Sequence, residues 1–197
     1  MIAALFVDHD GIYAGRPDID PWDVTRDARI YAGPWPVVAH PPCERWGRWW
    51  WADGSEQPGN DAGCFAAALV AVETYGGVIE HPAYSHAWGA FGLPIPSPTG
   101  GWAKNLWRPG WSCQVAQRVY GHRARKQTWL YYVGPAPAPL QWGDGPPPEA
   151  YLCAPGRTKT SPGRTDVTIM GSVEARATPP PFAERLIELA RLARRCS

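Results

Sequence analysis

Val37-Val38-Ala39-His40-Pro41-Pro42-Cys43 and Gly77-Val78-Ile79-Glu80-His81-Pro82 are two short apolar runs, each closed by proline, and the stretch they bound decides the fold. Proline cannot donate to a strand ladder, so the chain must leave the sheet at Pro41-Pro42 and again at Pro82. Between the runs, Asn60 or Asp61 can cap a helix from about Gly63 to Tyr75, in which Phe65, Leu69 and Val72 recur at helical spacing. Gly76-Gly77 ends that helix. Strand, helix and strand in this order predict a βαβ unit, with Val37 to Ala39 and Val78 to Glu80 as neighbouring parallel strands.

Ligands of an open α/β sheet bind beyond the carboxyl ends of its strands. Cys43 and Glu80 both fall just past such ends, so they are expected to be neighbours. A thiol beside a carboxyl group suits attack on an electron-poor ring: the thiolate adds covalently and the acid protonates a ring nitrogen. Set against this, an isolated cysteine is more often a structural residue packed in a core.

Outward from this unit, Ala3 to Val7 is a further apolar run, stopped by Asp8-His9-Asp10-Gly11, and reads as a buried strand followed by a polar turn. Pro94 to Trp111 lacks periodicity and reads as a surface loop, whereas Thr128 to Val133 is strongly β-prone. Residues 135–163, rich in proline and glycine, form a long connector or lid. The last helix begins with Thr178 as cap and Pro179 to Pro181 in its first turn. Phe182, Leu186, Leu189 and Ala193 make its apolar face, and Arg191, Arg194 and Arg195 suit its carboxyl end. The expected architecture is a single three-layer α/β domain with a mainly parallel sheet.

The 197 residues fit one core, and 45% hydrophobic against 19% charged residues excludes a disordered, strongly solvated chain. A net charge of +1 provides no global field for nucleic acid, so DNA binding needs a local basic patch. The five cysteines are widely spaced and odd in number, which disfavours a disulfide framework. With no apolar stretch near about 18 residues and no basic leader, a cytoplasmic protein with reduced thiols is expected.

The runs around Cys43 and Glu80 resemble a known family, the DNA cytosine-5 methyltransferases. His40-Pro41-Pro42-Cys43 looks like the Pro-Pro-Cys segment that presents the nucleophile, and Glu80-His81-Pro82 is similar to the Glu-Asn-Val segment whose glutamate engages cytosine N3. Tyr120-Gly121-His122-Arg123-Ala124-Arg125-Lys126, followed by a strand, looks like the segment that holds the base and backbone, and Pro180-Pro181-Phe182 resembles the proline-led last helix. The four segments occur in the family's order and cover about half of the chain.

The resemblance implies a methyltransferase-like, Rossmann-like fold without room for a separate target-recognition domain, closest to compact proteins of phages and their bacterial hosts. It implies that Cys43 attacks C6 of a pyrimidine, Glu80 engages N3 and Arg125 contacts the base. His40, Pro42, His81, Arg123, Lys126 and Trp46 would line the substrate, DNA or a nucleotide. S-adenosylmethionine would be the methyl donor, met by Phe6, Asp8, Gly11 and Asp23. The first loop departs from the family's Phe-x-Gly-x-Gly pattern, since this chain has Leu5-Phe6-Val7-Asp8-His9-Asp10-Gly11 and only Gly11 and Gly15 remain.

Two other functions compete. A non-catalytic nucleic-acid-binding module would have kept the base pocket and lost the donor, as the altered first loop suggests. A zinc deaminase-like enzyme could use His40 and Cys43, which have ligand-like spacing, with His81 and Cys64 nearby. Zinc deaminases use His-x-Glu followed by Pro-Cys-x-x-Cys, however, and no second cysteine follows Cys43 at that spacing, so no metal is expected. The loop tryptophans Trp46, Trp49, Trp50, Trp51, Trp102, Trp107 and Trp111 either bury against the core or stack on an extruded base.

Overall fold

The computed structural model describes residues 1–52, 57–104, 106–157, 161 and 163–193; Arg194, Arg195 and Cys196 lie outside the described residues. Seven strands form one mixed sheet: β1 (Ile2–Leu5), β2 (Ile19–Trp22), β3 (Val37–Ala39), β4 (Gly77–Pro82), β5 (Ala103–Lys104), β6 (Trp111–Ala116) and β7 (Gln127–Val133). Their order across the sheet is β2-β1-β3-β4-β7-β6-β5. The helices are α1 (Cys64–Tyr75), α2 (His86–Ala90), α3 (Ser172–Arg176) and α4 (Pro180–Ala193).

The central βαβ unit forms as its sequence dictates. β3 and β4 run parallel with Val37, Val38 and Ala39 beside Gly77, Val78 and Ile79, and α1 connects them. Asp61 caps α1 by accepting from the Phe65 amide at 2.7 Å. Gly77 permits the close strand approach that follows: its φ is +124°, and a Cβ there would collide with the Val37 backbone. The sheet is parallel only from β2 to β4; β7 runs antiparallel to β4, and β6 and β5 follow antiparallel in turn. The expectation of a mainly parallel sheet is corrected accordingly. Antiparallel neighbours need no crossover helix, which is how the short connections around residues 117–126 and 105–110 suffice.

Strand alternation divides the core into two layers. Ala4, Val38, Val78, Leu130 and Tyr132 face α4, where Phe182, Leu186 and Ile187 are fully buried. Ala3, Leu5, Val37, Ala39, Ile79 and Tyr131 face α1, together with Phe65, Leu69 and Val72. Each large aliphatic or aromatic side chain so buried contributes about 1.5–3 kcal/mol, which makes these two faces the main source of stability.

Several boundaries move. β1 ends at Leu5 because Phe6 adopts φ +58°, a left-handed conformation that stops the strand. The loop assigned to residues 94–111 contains β5, and its last residue opens β6. The Pro179 carbonyl, not Thr178, accepts the first helical bonds of α4, from Phe182 and Ala183. Tyr151, in the connector, bridges to Ile169 beyond it as an isolated parallel pair.

Candidate functional site

The chain leaves β1 to pair β2 on one side and then returns to pair β3 on the other, so the strand order reverses between β1 and β3. In doubly wound sheets the crevice at the carboxyl ends beside such a reversal is the usual ligand site. Three segments meet there: the turn after β1 with Tyr13, the His40–Cys43 exit from β3, and Glu80 near the end of β4.

The period of two along β4 settles which side chains face the crevice. Glu80 shares the parity of Val78 and turns towards the α4 layer, whereas His81 turns towards the α1 layer. His81 is fully buried between the rings of Phe65 and Trp88, at 5.2 and 6.2 Å, and neither ring nitrogen has a hydrogen-bond partner of full geometry. Burial lowers its pKa to about 4, partly offset by the Glu80 charge and the Pro42 carbonyl, so the ring stays neutral. The structure therefore places His81 in the core, not among the substrate-lining residues where it was expected.

Glu80 sits in a hydrogen-bonded chain. Its Oε2 is 3.0 Å from His40 Nδ1, and its Oε1 accepts from Gln117 Nε2 at 3.1 Å. The same Gln117 nitrogen donates to Thr128 Oγ1 at 2.9 Å, and His40 Nε2 lies 2.8 Å from the Tyr13 hydroxyl. Burial pushes the Glu80 carboxyl up, but the His40 hydrogen bond and the nearby positive charge, that of Lys126 included, outweigh it and hold the pKa at about 2. Glu80 is therefore a buried, paired carboxylate.

Cys43 is half-buried and reduced. Its thiol is pushed up to about 11, first by burial and then by the charges of Glu44 and Glu80, while Lys126 pulls it down. Lys126 thus acts on both members of the pair. It continues the β7 parity that sends Thr128 and Leu130 to the α4 side, and its Nζ donates to the Arg176 and Ala177 carbonyls at 2.9 and 3.0 Å. Burial lowers the Lys126 pKa while Glu80 and Cys43 raise it. Its φ of +27° is a strained value for a residue with a Cβ, as is that of Phe6 on the other side of the crevice. Such strain, worth about 1–3 kcal/mol per residue, collects at functional sites.

The remaining candidates fall elsewhere. Arg125 pairs with Asp144 at 3.1 Å, and Arg123 with Glu174 at 2.9 Å; neither charge acts on Cys43 or Glu80. Arg125 thus pins the connector and Arg123 pins α3, and the cation whose charge acts on the pair is Lys126. Trp46 is buried against Phe65 and Phe91, a core residue and not a stacking platform. Trp49 is flanked by Arg48 and Arg157, whose guanidinium carbons are 5.1 and 5.6 Å from the ring centre. Pro42 is exposed at the rim.

At the β1–β2 end, Asp23 accepts from the amide and hydroxyl of Thr25 through one oxygen and lies 2.7 Å from His9 Nδ1 through the other. Those contacts hold its pKa at about 2. Gly11 closes a tight turn onto the Asp8 carbonyl, where a Cβ would stand 3.1 Å from that oxygen. Among the described residues no three His, Cys, Asp or Glu side chains are grouped to hold a metal ion, and His40 is already committed to Tyr13 and Glu80. A concavity of about 500 Å³ against α4 is lined by Val119, Tyr120, Gln141, Pro181, Glu184 and Arg185, and contains neither Cys43 nor Glu80. No helix among the described residues is long and apolar enough to cross a membrane.

Tyr13, Gln117 and Thr128 were not foreseen as site residues. Tyr13 follows β1 by a turn whose path the sequence does not fix, and Gln117 opens the short 3-10 helix Gln117–Tyr120 that follows β6, where no periodic pattern marks it. For Thr128 a signal existed, since it occupies the first position assigned to the β-prone run before Val133 and shares the parity of Leu130. The chain matches no protein-family model, no curated protein and no solved structure at a significant level.

Proposed function

We propose that the protein is a pyrimidine-C5 transferase, DNA cytosine-5 methyltransferase-like, that acts on DNA or nucleotide bases through a covalent Cys43 adduct. The observation that carries this reading is the electrostatic coupling of a half-buried thiol, a buried carboxylate and Lys126 at the carboxyl edge beside the strand-order reversal. The parallel half-sheet with α1 and α4 on opposite faces fits the Rossmann-like, methyltransferase-like architecture that the sequence resemblance implies.

In the reaction, Cys43 loses its proton to water and Sγ bonds to C6 of the ring. The C5=C6 electron pair shifts towards N3, which takes a proton from Glu80, and C5 becomes nucleophilic. After transfer, the C5 proton leaves to water, its electron pair reforms C5=C6 as the thiolate departs, and N3 returns its proton to Glu80. Lys126 favours the thiolate throughout, because its positive charge opposes the repulsion from Glu44 and Glu80.

S-adenosylmethionine is the donor that the resemblance implies, and Phe6, Asp8, Gly11 and Asp23 are the residues that would meet it. They fit it poorly. Gly11 serves its own turn, and both Asp23 oxygens are engaged by Thr25 and His9. Binding of the donor is expected to be weak.

One observation favours a second reading, a nucleic-acid-binding module without catalysis. A thiol at about 11 is protonated in the free protein, and Glu80 is bare, the reverse of what addition needs. The two readings separate on covalent trapping. Single-stranded, duplex and mononucleotide substrates carrying 5-fluorocytosine or 5-fluorouracil are incubated with candidate donors, and the protein is weighed under denaturing conditions. The transferase gives an adduct that Cys43→Ser abolishes, because fluorine cannot leave C5 as a proton does; binding without any adduct supports the module.

A further inference from the structure

Glu80 raises a chemical difficulty that its neighbours resolve. A carboxylate ionised in the free protein has no proton to give a ring nitrogen, so an acid role requires a neighbour that can reload it. We propose that His40 is that neighbour: it holds and resupplies the Glu80 proton, while Tyr13 fixes the imidazole from its far side. This rests on the transferase reading and makes His40 a positioning residue that acts through Glu80, not a group that merely lines the substrate.

The hydrogen bonds fix the direction of transfer. An ionised carboxylate can only accept, so the 3.0 Å contact is His40 Nδ1–H donating to Glu80 Oε2. Gln117 must likewise turn its amide nitrogen to Glu80 Oε1 and Thr128, which occupies the second carboxylate oxygen with a donor that does not ionise. Of the two groups bonded to the carboxylate, His40 alone carries a transferable proton.

Tyr13 accommodates both states of the ring. It accepts from Nε2–H when His40 is an imidazolium and donates to Nε2 when the Nδ1 tautomer is neutral, across the same 2.8 Å. Burial raises the Tyr13 phenol, so its hydroxyl keeps its proton. The step balances. Nδ1–H moves to Glu80 and Glu80 passes that one proton to N3, so Glu80 ends as the carboxylate it began as and His40 is left neutral with Nε2–H bonded to the Tyr13 oxygen. Solvent at the part-exposed ring then restores the imidazolium.

The titratable groups facing this chain come from several elements. Cys43 and Glu44 lie after β3, His81 on β4 and Lys126 before β7, while Arg16 and Glu184 act on Tyr13 from the turn after β1 and from α4. None of them bonds to the Glu80 oxygens.

The test uses two variants of the full chain and two readouts. Thiol addition makes C5 exchange its hydrogen with solvent, so cytosine-containing oligonucleotides in D2O report the step without any donor. His40→Asn keeps an amide N–H for Glu80 but no transferable proton. Its exchange rate at neutral pH should fall on the order of 100-fold, and its deficit relative to the wild type should narrow as the pH is lowered and the carboxyl itself becomes protonated. A His40→Asn profile parallel to the wild type would overturn the proposal, since a hydrogen bond alone would then suffice. The second readout is the Glu80 carboxyl titration by carbon NMR, assigned with Glu80→Gln. It should move up from about 2 in His40→Leu, and an unmoved titration also overturns the proposal. If the wild type exchanges no hydrogen at all, the transferase reading fails, and the carboxyl titration decides by itself whether His40 holds the Glu80 proton.

Discussion

Acid should unfold this protein in two separable steps, and His81→Leu should erase the first of them. Unfolded, the imidazole takes a proton as the pH falls through 6.5; folded, it resists until about 4. Between those values the unfolded chain binds more protons, so stability falls as the pH falls and levels off below about 4. A gap of about 2.5 pH units at 1.36 kcal/mol each is about 3 kcal/mol, a large part of the 5–15 kcal/mol typical of a domain. Glu80 adds a loss of the same sign in a lower window: its stabilisation is complete above 4.5 and disappears as the pH drops to about 2. Leucine has no ring nitrogens to leave unsatisfied, so His81→Leu should match the wild type at pH 7 to within about 1 kcal/mol. At pH 4 it should be more stable than the wild type by about 3 kcal/mol. Urea unfolding followed by tryptophan fluorescence at pH 7, 5.5 and 4 measures the difference. Groups that the substitution leaves untouched contribute alike to both proteins and cancel. If His81→Leu lost as much stability as the wild type between pH 7 and 4, the assignment of His81 to a neutral, buried site would be refuted.

Three further outcomes are expected. Cys43 should react with iodoacetamide at neutral pH about 100-fold more slowly than a thiol at 9.0, since its titration lies near 11; Glu80→Gln should speed it and Lys126→Ala should slow it, as read by peptide mass spectrometry. Gly77→Ala should cost about 3 kcal/mol or more in urea unfolding, because a side chain at that φ collides with β3 backbone; a cost under about 1 kcal/mol would contradict the strand contact. Calorimetry with S-adenosylmethionine should show no submicromolar affinity, as the glycines that let backbone approach the ligand are missing from the first loop.

The central βαβ unit was legible because its signals are local: an Asp61 cap, helical spacing in α1, two glycines and proline-closed apolar runs. The same alternation that placed Val78 and Ile79 on opposite faces contained the fates of Glu80 and His81, although both were expected at the site. β2 escaped notice because Ile19-Asp20-Pro21-Trp22 has the composition of a turn; it is a strand only at the sheet edge, where a proline without a donor is tolerated. Lys126 instead of Arg125 reaches the pair because a positive-φ residue ends the turn before β7, and no spacing rule predicts that conformation. Tyr13 and Gln117 join Glu80 through long-range closure of the chain, with partners 27 and 37 residues distant along it. Such contacts follow from the assembled sheet and leave no periodic trace.

Whether Cys43 adds to a pyrimidine ring is tested most directly by hydrogen exchange at C5. Cytosine-containing single strands, duplexes and mononucleotides are incubated in D2O with the wild type and with Cys43→Ser, without donor, and the recovered bases are weighed. Addition at C6 makes C5 take up deuterium before the thiolate leaves, so the account predicts a gain of one deuteron per processed base with the wild type and none with Cys43→Ser. Equal exchange in the two proteins, or no exchange with any substrate, would contradict it.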